Sequence, residues 1–291
     1  MTPFELLEPK SLKEAIGLLD PEDASVRPIA GGTATMLMMK GGFLRPRRLV
    51  SLRRIEERYS RIETGPKGEL RIGALVTLSA LERSAEAKRR VPVLAQALKT
   101  LANVRVRNVA TVGGHLAHGD PHQDLPPVFV SLGAHIVALG PKGERTIPVE
   151  ELITGYYETV LERNELIAEL IVPAQTDRRS VYVKCTTRSA DDWPCLGVAV
   201  SMASDKLAVR EASVAISAAT ERPVRLRAVE SLLRGASVDD ALLRRAGDAA
   251  VDEATLFADA QGSVAYKKQL LRVHVARAVR RALEAASGSA H

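Results

Sequence analysis

The sequence predicts an α+β chain of two domains that meet near residue 175. Three observations predict it. Up to that point strand-like and helix-like segments are intermixed, and two glycine-rich turns each follow a strand-like run. Residues 174–179 are polar and linker-like, just after Pro173. Beyond them, three strand-like runs are followed by three helix-like ones, the pattern of a three-stranded antiparallel meander packed on a helix bundle. A chain of 291 residues is long enough for two modest cores.

Each element has its own local reason. Ser11 and Glu14 form an S-x-x-E capping box, and Leu12, Ala15, Ile16 and Leu19 repeat at helical spacing until Pro21. A strand over 26–30 runs into Gly31-Gly32-Thr33, and residues 34–40 read as a helix closed by Gly41-Gly42. Strands at 61–64 and 69–72 flank Gly65-Pro66-Lys67-Gly68, a hairpin signal. Thr77 caps a helix through Leu78 and Leu81. Pro92 opens another, with Leu94, Ala97, Leu98 and Leu101 on one face. Residues 103–110 lead into the second glycine-rich turn, 111–115, and Asp124 before Leu125-Pro126-Pro127 reads as a helix N-cap. A second hairpin, 134–139 and 144–147, closes around Gly140-Pro141-Lys142-Gly143; the repeated G-P-K-G is shared turn chemistry, not a repeat unit. A strand over 166–172 ends at Pro173. In the second domain, residues 176–287, strands are expected at 181–187, 195–203 and 207–218, with a tight turn at Asp205-Lys206. Helices follow at 225–234, 238–255 and 266–286, and residues 288–291 are expected to be a disordered tail.

Composition narrows the function. The net charge of +6 and pI near 9.4 raise nucleic-acid binding, but Lys and Arg are scattered and no basic run is interleaved with stacking aromatics, which make up only 3% of the chain. The stretch 45–54 and the last helix, with Lys267, Lys268, Arg272, Arg277, Arg280 and Arg281, are either docking faces for an acidic partner or solvated surface. Only Cys185 and Cys195 exist, too few for a zinc or iron–sulfur site and in keeping with a reducing compartment. The N-terminal residues lack the pattern of a signal peptide, and no stretch approaches the roughly 20 apolar residues of a membrane span. A cytoplasmic protein is expected.

The chemistry concentrates in the two glycine-rich turns, Ile29-Ala30-Gly31-Gly32-Thr33-Ala34-Thr35 and Thr111-Val112-Gly113-Gly114-His115. Paired glycines let consecutive N–H groups converge into an anion nest, to which the Thr hydroxyls add donors. Neither turn is a P-loop or a G-x-G-x-x-G. Two nests suit the two phosphates of a pyrophosphate; each alone is as well read as a plain turn. His118 and His122, with Asp120 and Asp124, suggest metal ligands, but Gly119 and Pro121 break the helix that such a pair needs, and no metal site is expected. No nucleophile elbow or Cys–His pair suggests hydrolysis.

The full stretches, AGGTATMLMMK at 30–40 and VRNVATVGGHLAHGDPHQDLPP at 106–127, resemble the FAD-binding medium subunit of molybdenum hydroxylases, the family of carbon monoxide dehydrogenase and xanthine dehydrogenase. A third match is Tyr182-Val183-Lys184 followed by Arg188-Ser189-Ala190-Asp191-Asp192, and the resemblance covers nearly the whole chain. It implies that residues 1–175 form the two-lobed FAD-binding domain of vanillyl-alcohol-oxidase-type flavoproteins and that 176–287 form the small C-terminal domain. It also implies roles. Ile29, Ala30, Gly31, Gly32, Thr33, Ala34 and Thr35 would wrap the FAD pyrophosphate and reach the flavin. Thr111, Val112, Gly113, Gly114 and His115 would form the second phosphate-binding turn. Leu101 would border the flavin, Asp124 would hydrogen-bond the cofactor, Ile167 would give a backbone contact on the adenine side, and Lys184 would lie near the flavin ring. On the residues alone, Asp124 is a cap and Lys184 an exposed strand residue; Trp193 either covers a ring face or packs in the core. Two positions depart from the family: His115 stands where Asn or Ser is usual, and Thr35 replaces an apolar or acidic residue.

The resemblance further implies an FAD-carrying electron-transfer subunit and no catalytic side chain, because the flavin carries the chemistry. Its partners would be a large molybdenum-cofactor subunit and a small [2Fe-2S] subunit in a dimer of heterotrimers, with NAD or a quinone as acceptor. The rival readings are a stand-alone FAD-dependent oxidoreductase and a flavin-free basic binding module.

Overall fold

The computed structural model describes residues 2–205 and 208–287. Lys206 of the expected tight turn and the expected tail, 288–291, lie outside the described residues.

A small parallel sheet opens the chain, with Arg48–Ser51 between Glu5–Leu7 and Val26–Ile29. The helix Leu12–Leu18 buries Leu12, Ala15 and Ile16 in the core beneath this sheet, together with Val26 and Val50. Ser11 caps this helix as expected, its Oγ accepting from the Glu14 N–H at 3.0 Å. The return arm differs: the Glu14 carboxylate accepts from the Lys10 N–H at 2.8 Å, one residue before the N-cap.

The second sheet is antiparallel, in the order Ile62–Thr64, Leu70–Gly73, Leu166–Val172, His135–Gly140 and Gly143–Pro148. Both G-P-K-G segments close hairpins of this sheet. The chain leaves this sheet at Gly73, returns at His135 for the second hairpin, and fills the centre last with Leu166–Val172, which joins two hairpins far apart in sequence. Between them, short helices bury Leu78, Leu81, Leu94, Leu98, Val112, Leu116, Leu125 and Phe129 against Ile136 and Leu170. Each helix has its own local start, an N-cap at Thr77, Ser84, Asn103 or Thr111, or prolines in the first turn.

The third sheet has four strands, Arg179–Cys185, Leu196–Asp205, Ala208–Ser217 and Val224–Arg225, not the three expected. The added strand is too short to show a pattern. It is held because Arg225 pairs with Glu230 through two contacts, 2.7 Å and 3.0 Å, and Glu230 also accepts from the Val214 N–H at 2.9 Å. The helix expected from residue 225 therefore starts later, at Arg227–Leu233. It is followed by Asp240–Glu253 and Val264–Ser287.

The run from Leu196 to Ala203 is buried without a break, Ser201 included, because both faces of its strand are covered. Val198, Val200, Val214 and Ile216 meet Leu271, Val275 and Val279 of the last helix. The alternate residues, Ala199 and Ala215, pack into the core of the antiparallel sheet before residue 175. Among the described residues no helix is long and apolar enough to cross a membrane.

Candidate functional site

The strand Val26–Ile29 passes through Gly31 and Gly32 into the helix Thr33–Lys40. Gly32 has φ +74°, a left-handed conformation that favours glycine. Gly31 is fixed by space: a Cβ there would lie 2.1 Å from the Val109 carbonyl oxygen and 2.9 Å from the Ala110 Cα. The first glycine loop is thus pressed against the backbone that leads directly into Thr111.

The main-chain donors of this loop are open. The Met36 N–H bonds to the Gly32 carbonyl at 2.9 Å and is the first of the helix to do so. The N–H groups of Gly31, Gly32, Thr33, Ala34 and Thr35 have no hydrogen-bond acceptor among the described residues. Such donors at a helix N-terminus, where the helix dipole is positive, form an anion site.

The second glycine-rich segment differs from the expected turn. Thr111 is an N-cap, and Val112, Gly113 and Gly114 form the first turn of the helix Val112–His118. Its donors are engaged. Val112 N–H bonds to the Val76 carbonyl at 2.9 Å, Gly113 N–H to the Ala74 carbonyl at 2.8 Å and His115 N–H to the Thr111 carbonyl at 2.8 Å. Gly114 N–H donates to Thr111 Oγ1 at 3.2 Å. The anion nest expected at Gly113-Gly114 is therefore not open, because the residues after Gly73 supply the acceptors. Gly113 is needed for packing, since a Cβ would meet the Ala74 Cβ at 2.6 Å. Gly114 is exposed, and a Cβ there would point toward the first loop, 3.8 Å from the Ala30 Cβ. The two glycine segments, far apart in sequence, form adjacent walls.

Leu101 is buried in the core between the antiparallel sheet and the short helices. Ile167 precedes Ala168, whose carbonyl accepts from the N–H of Ala74, the residue under Gly113. His115 is neutral at ordinary pH: burial, then the neighbouring His118, push it down to about 4. Its Nε2 is buried with no partner among the described residues, as is Gln123 Oε1.

Asp124 is not a cap. It has helical φ and ψ and makes no capping hydrogen bond. Its carboxylate turns inward, accepting from Tyr182 OH at 2.7 Å and from Lys184 Nζ at 3.1 Å; Lys184 also donates to the Thr100 carbonyl at 2.7 Å. Burial pushes Asp124 up to about 6, against the Lys184 charge. Lys184 is not an exposed strand residue either, its side chain being only 7% exposed. Trp193 is not in the core: it is 55% exposed and stacked on His122. Sequence reasoning missed Tyr182 as Asp124's partner, and missed the chain Asp120–His122–Asp259–Lys267, whose members are joined only by the fold. The one local signal was Lys267 at a core-facing position of a helix.

Among the described residues no group of three or more His, Cys, Asp or Glu side chains is placed to hold a metal ion. A cavity of about 240 Å³, lined by Gly68, Arg89, Arg90 and Pro173 among others, shares no residue with the glycine loops and does not belong to this site.

Residues 2–175 match the family described as the FAD binding domain in molybdopterin dehydrogenase, and residues 181–282 match the CO dehydrogenase flavoprotein C-terminal domain. The chain is 33% identical to the carbon monoxide dehydrogenase medium chain of Hydrogenophaga pseudoflava, covering 97% of this chain and 96% of that one. A solved carbon monoxide dehydrogenase from the same organism superposes with a TM-score of 0.93 at 34% identity, covering 98% and 99% of the two chains. Quinoline 2-oxidoreductase from Pseudomonas putida 86 superposes at 0.92 with 26% identity, covering 98% of each. The chain belongs to the family of FAD-binding medium subunits of molybdenum hydroxylases, and is an FAD-dependent oxidoreductase subunit.

Proposed function

We propose that this chain is the FAD-carrying electron-transfer subunit of a molybdenum-containing hydroxylase complex, taking electrons from a [2Fe-2S] subunit and passing them to an external acceptor, NAD or a quinone. The observation that carries the reading is the row of unbonded N–H groups at residues 31–35, facing the Gly114 wall. An anion fits there without displacing any internal hydrogen bond.

In this reading Ile29, Ala30, Gly31, Gly32, Thr33, Ala34 and Thr35 hold the pyrophosphate through main-chain donors. Thr111, Val112, Gly113, Gly114 and His115 form a rigid opposing wall, and supply shape more than donors. Leu101 borders the flavin, and Ile167 gives a backbone contact on the adenine side. Asp124 and Tyr182 fix Lys184, whose charge is directed toward the flavin ring, and Trp193 covers a ring face. Bound FAD supplies the electron-accepting chemistry that no side chain here provides. The division near residue 175 separates the FAD-holding unit from a C-terminal unit that closes the site. The basic faces, residues 45–54 and the last helix, are docking surfaces for the large molybdenum-cofactor subunit and the small [2Fe-2S] subunit in a dimer of heterotrimers in the cytoplasm.

The test is flavin content and company. The purified chain is expected to be yellow and to retain FAD, and to co-purify from its source with a molybdenum subunit and an iron–sulfur subunit. Gly114→Asp sets a carboxylate beside the pyrophosphate and is expected to abolish FAD retention. A Gly114→Asp chain with normal flavin content would remove the site. A yellow chain that turns over alone, without partners, would remove the subunit role.

A further inference from the structure

His122 lies on the segment between the helices Val112–His118 and Leu125–Ser131 and has an acidic group at each ring nitrogen. Nδ1 is 3.3 Å from Asp120 Oδ1, which also accepts from the His122 N–H at 2.8 Å. Nε2 is 3.0 Å from Asp259 Oδ2. An ionised carboxylate only accepts, and a neutral imidazole has one donor, so only the imidazolium satisfies both contacts. Asp259 is in turn 2.7 Å from Nζ of the fully buried Lys267, which also donates to the Ala218 carbonyl at 3.2 Å. The charges alternate along Asp120, His122, Asp259 and Lys267. Tyr157 OH donates to Asp120 Oδ2 at 3.4 Å, and His118 Nε2 is 4.0 Å from the same oxygen. Tyr156 meets the Phe257 ring edge-on, and burial, together with the charges of Asp259 and Asp120, raises its hydroxyl above the ordinary value.

The ring faces of His122 are also used. The indole of Trp193 stacks on it with centroids 5.5 Å apart and planes 14° apart, and Phe257 meets it edge-on at 6.4 Å. Trp193 is otherwise half in solvent. A cation against an indole face is a favourable contact that a neutral ring does not reproduce.

We propose that His122 is a positioning residue: as an imidazolium gripped between Asp120 and Asp259, it holds Trp193 at the mouth of the flavin site and so sets how freely the electron acceptor reaches the ring. The second half rests on the reading that Trp193 covers the flavin. Burial opposes the charge on His122, but the hydrogen bonds it donates to Asp120 and Asp259 outweigh it and carry the group above its ordinary value. His118 is pushed the other way by burial, with only Asp120 opposing, so the two histidines titrate apart. Loss of the His122 proton leaves one nitrogen facing a carboxylate without a donor, and releases the indole.

Trp193 is the single tryptophan of the chain, so its emission reports this one contact. An imidazolium on an indole quenches it. In the flavin-free full chain, emission is expected to rise roughly twofold in one step, above the ordinary histidine value, as pH is raised from about 5 to about 9. Far-UV circular dichroism should stay constant through that step. His122→Gln, planar and neutral, is expected to give high emission without the step, and His118→Gln to keep the step. A step that survives in His122→Gln, vanishes in His118→Gln or is missing in the native chain overturns the clamp. Adding FAD tests the other half: Trp193 emission is expected to fall severalfold by energy transfer. Unchanged emission with FAD bound would refute control of acceptor access while leaving the clamp intact.

Discussion

At Gly31-Gly32 the chain passes from a parallel strand into a helix and leaves the N–H groups of residues 31–35 without internal acceptors. At Gly113-Gly114 it also enters a helix, yet the N–H groups of Val112, Gly113, Gly114 and His115 are all bonded within the protein. The two segments share letters and differ in use. The first leaves its donors open; the second spends its donors on Val76, Ala74 and its own cap Thr111. A glycine pair permits an anion nest, but what surrounds the pair decides whether the nest is open.

Breaking the contact between the walls should have the largest effect. Gly31→Ala drives a methyl group into the Val109 carbonyl at 2.1 Å, where only backbone can give way. A loss of at least about 3 kcal/mol in chemical denaturation, together with loss of FAD, is expected.

Gly113→Ala and Ala34→Pro separate stability from binding. Gly113→Ala meets the Ala74 Cβ at 2.6 Å and is expected to destabilise the flavin-free chain by about 1–3 kcal/mol, while the folded fraction still binds FAD. Ala34→Pro removes one unbonded N–H from the second position of a helix. This chain already tolerates proline in a first turn, at Pro126 and Pro127. The melt of the flavin-free variant should move little, while FAD binds roughly ten- to a hundredfold more weakly in a fluorescence titration. Equal effects of both variants on both readouts would erase the distinction between the loops.

The smallest effect is in pH dependence. His115 is held near 4 in the folded chain against an ordinary 6.5, so the unfolded chain takes up its proton first as pH falls. Its contribution to stability is complete above about 6.5 and is lost as pH falls toward 4. Asp124 acts with the opposite sign: its carboxyl is raised from 3.8 to about 6, so its contribution is lost as pH rises across that interval. His115→Asn should therefore lower the stability lost between pH 6.5 and 4 in denaturant titrations, with the Asp124 trend left behind.

Much of the frame was legible because its causes are local. The strand over 166–172, both G-P-K-G hairpins and the helices opened by Thr77 and Pro92 were set by neighbours a few residues away. The glycine segments and Lys184 were legible as a motif. What sequence could not show was set by distant partners. Thr111 caps a helix because Ala74 and Val76 take the N–H groups that a free turn would present. Asp124 turns from the helix end because Tyr182 and Lys184, on a strand of the third sheet, reach its carboxylate. The short strand Val224–Arg225 exists through Glu230, and the His122 clamp through Asp259.

Residue-resolved amide hydrogen exchange, with and without FAD, reads the open and engaged donors directly. Residues 31–35 should exchange fast in the flavin-free chain and become strongly protected when FAD binds, while residues 112–115 should be protected in both states. Slow exchange at residues 31–35 before FAD is added, or no gain there on binding, would contradict the account.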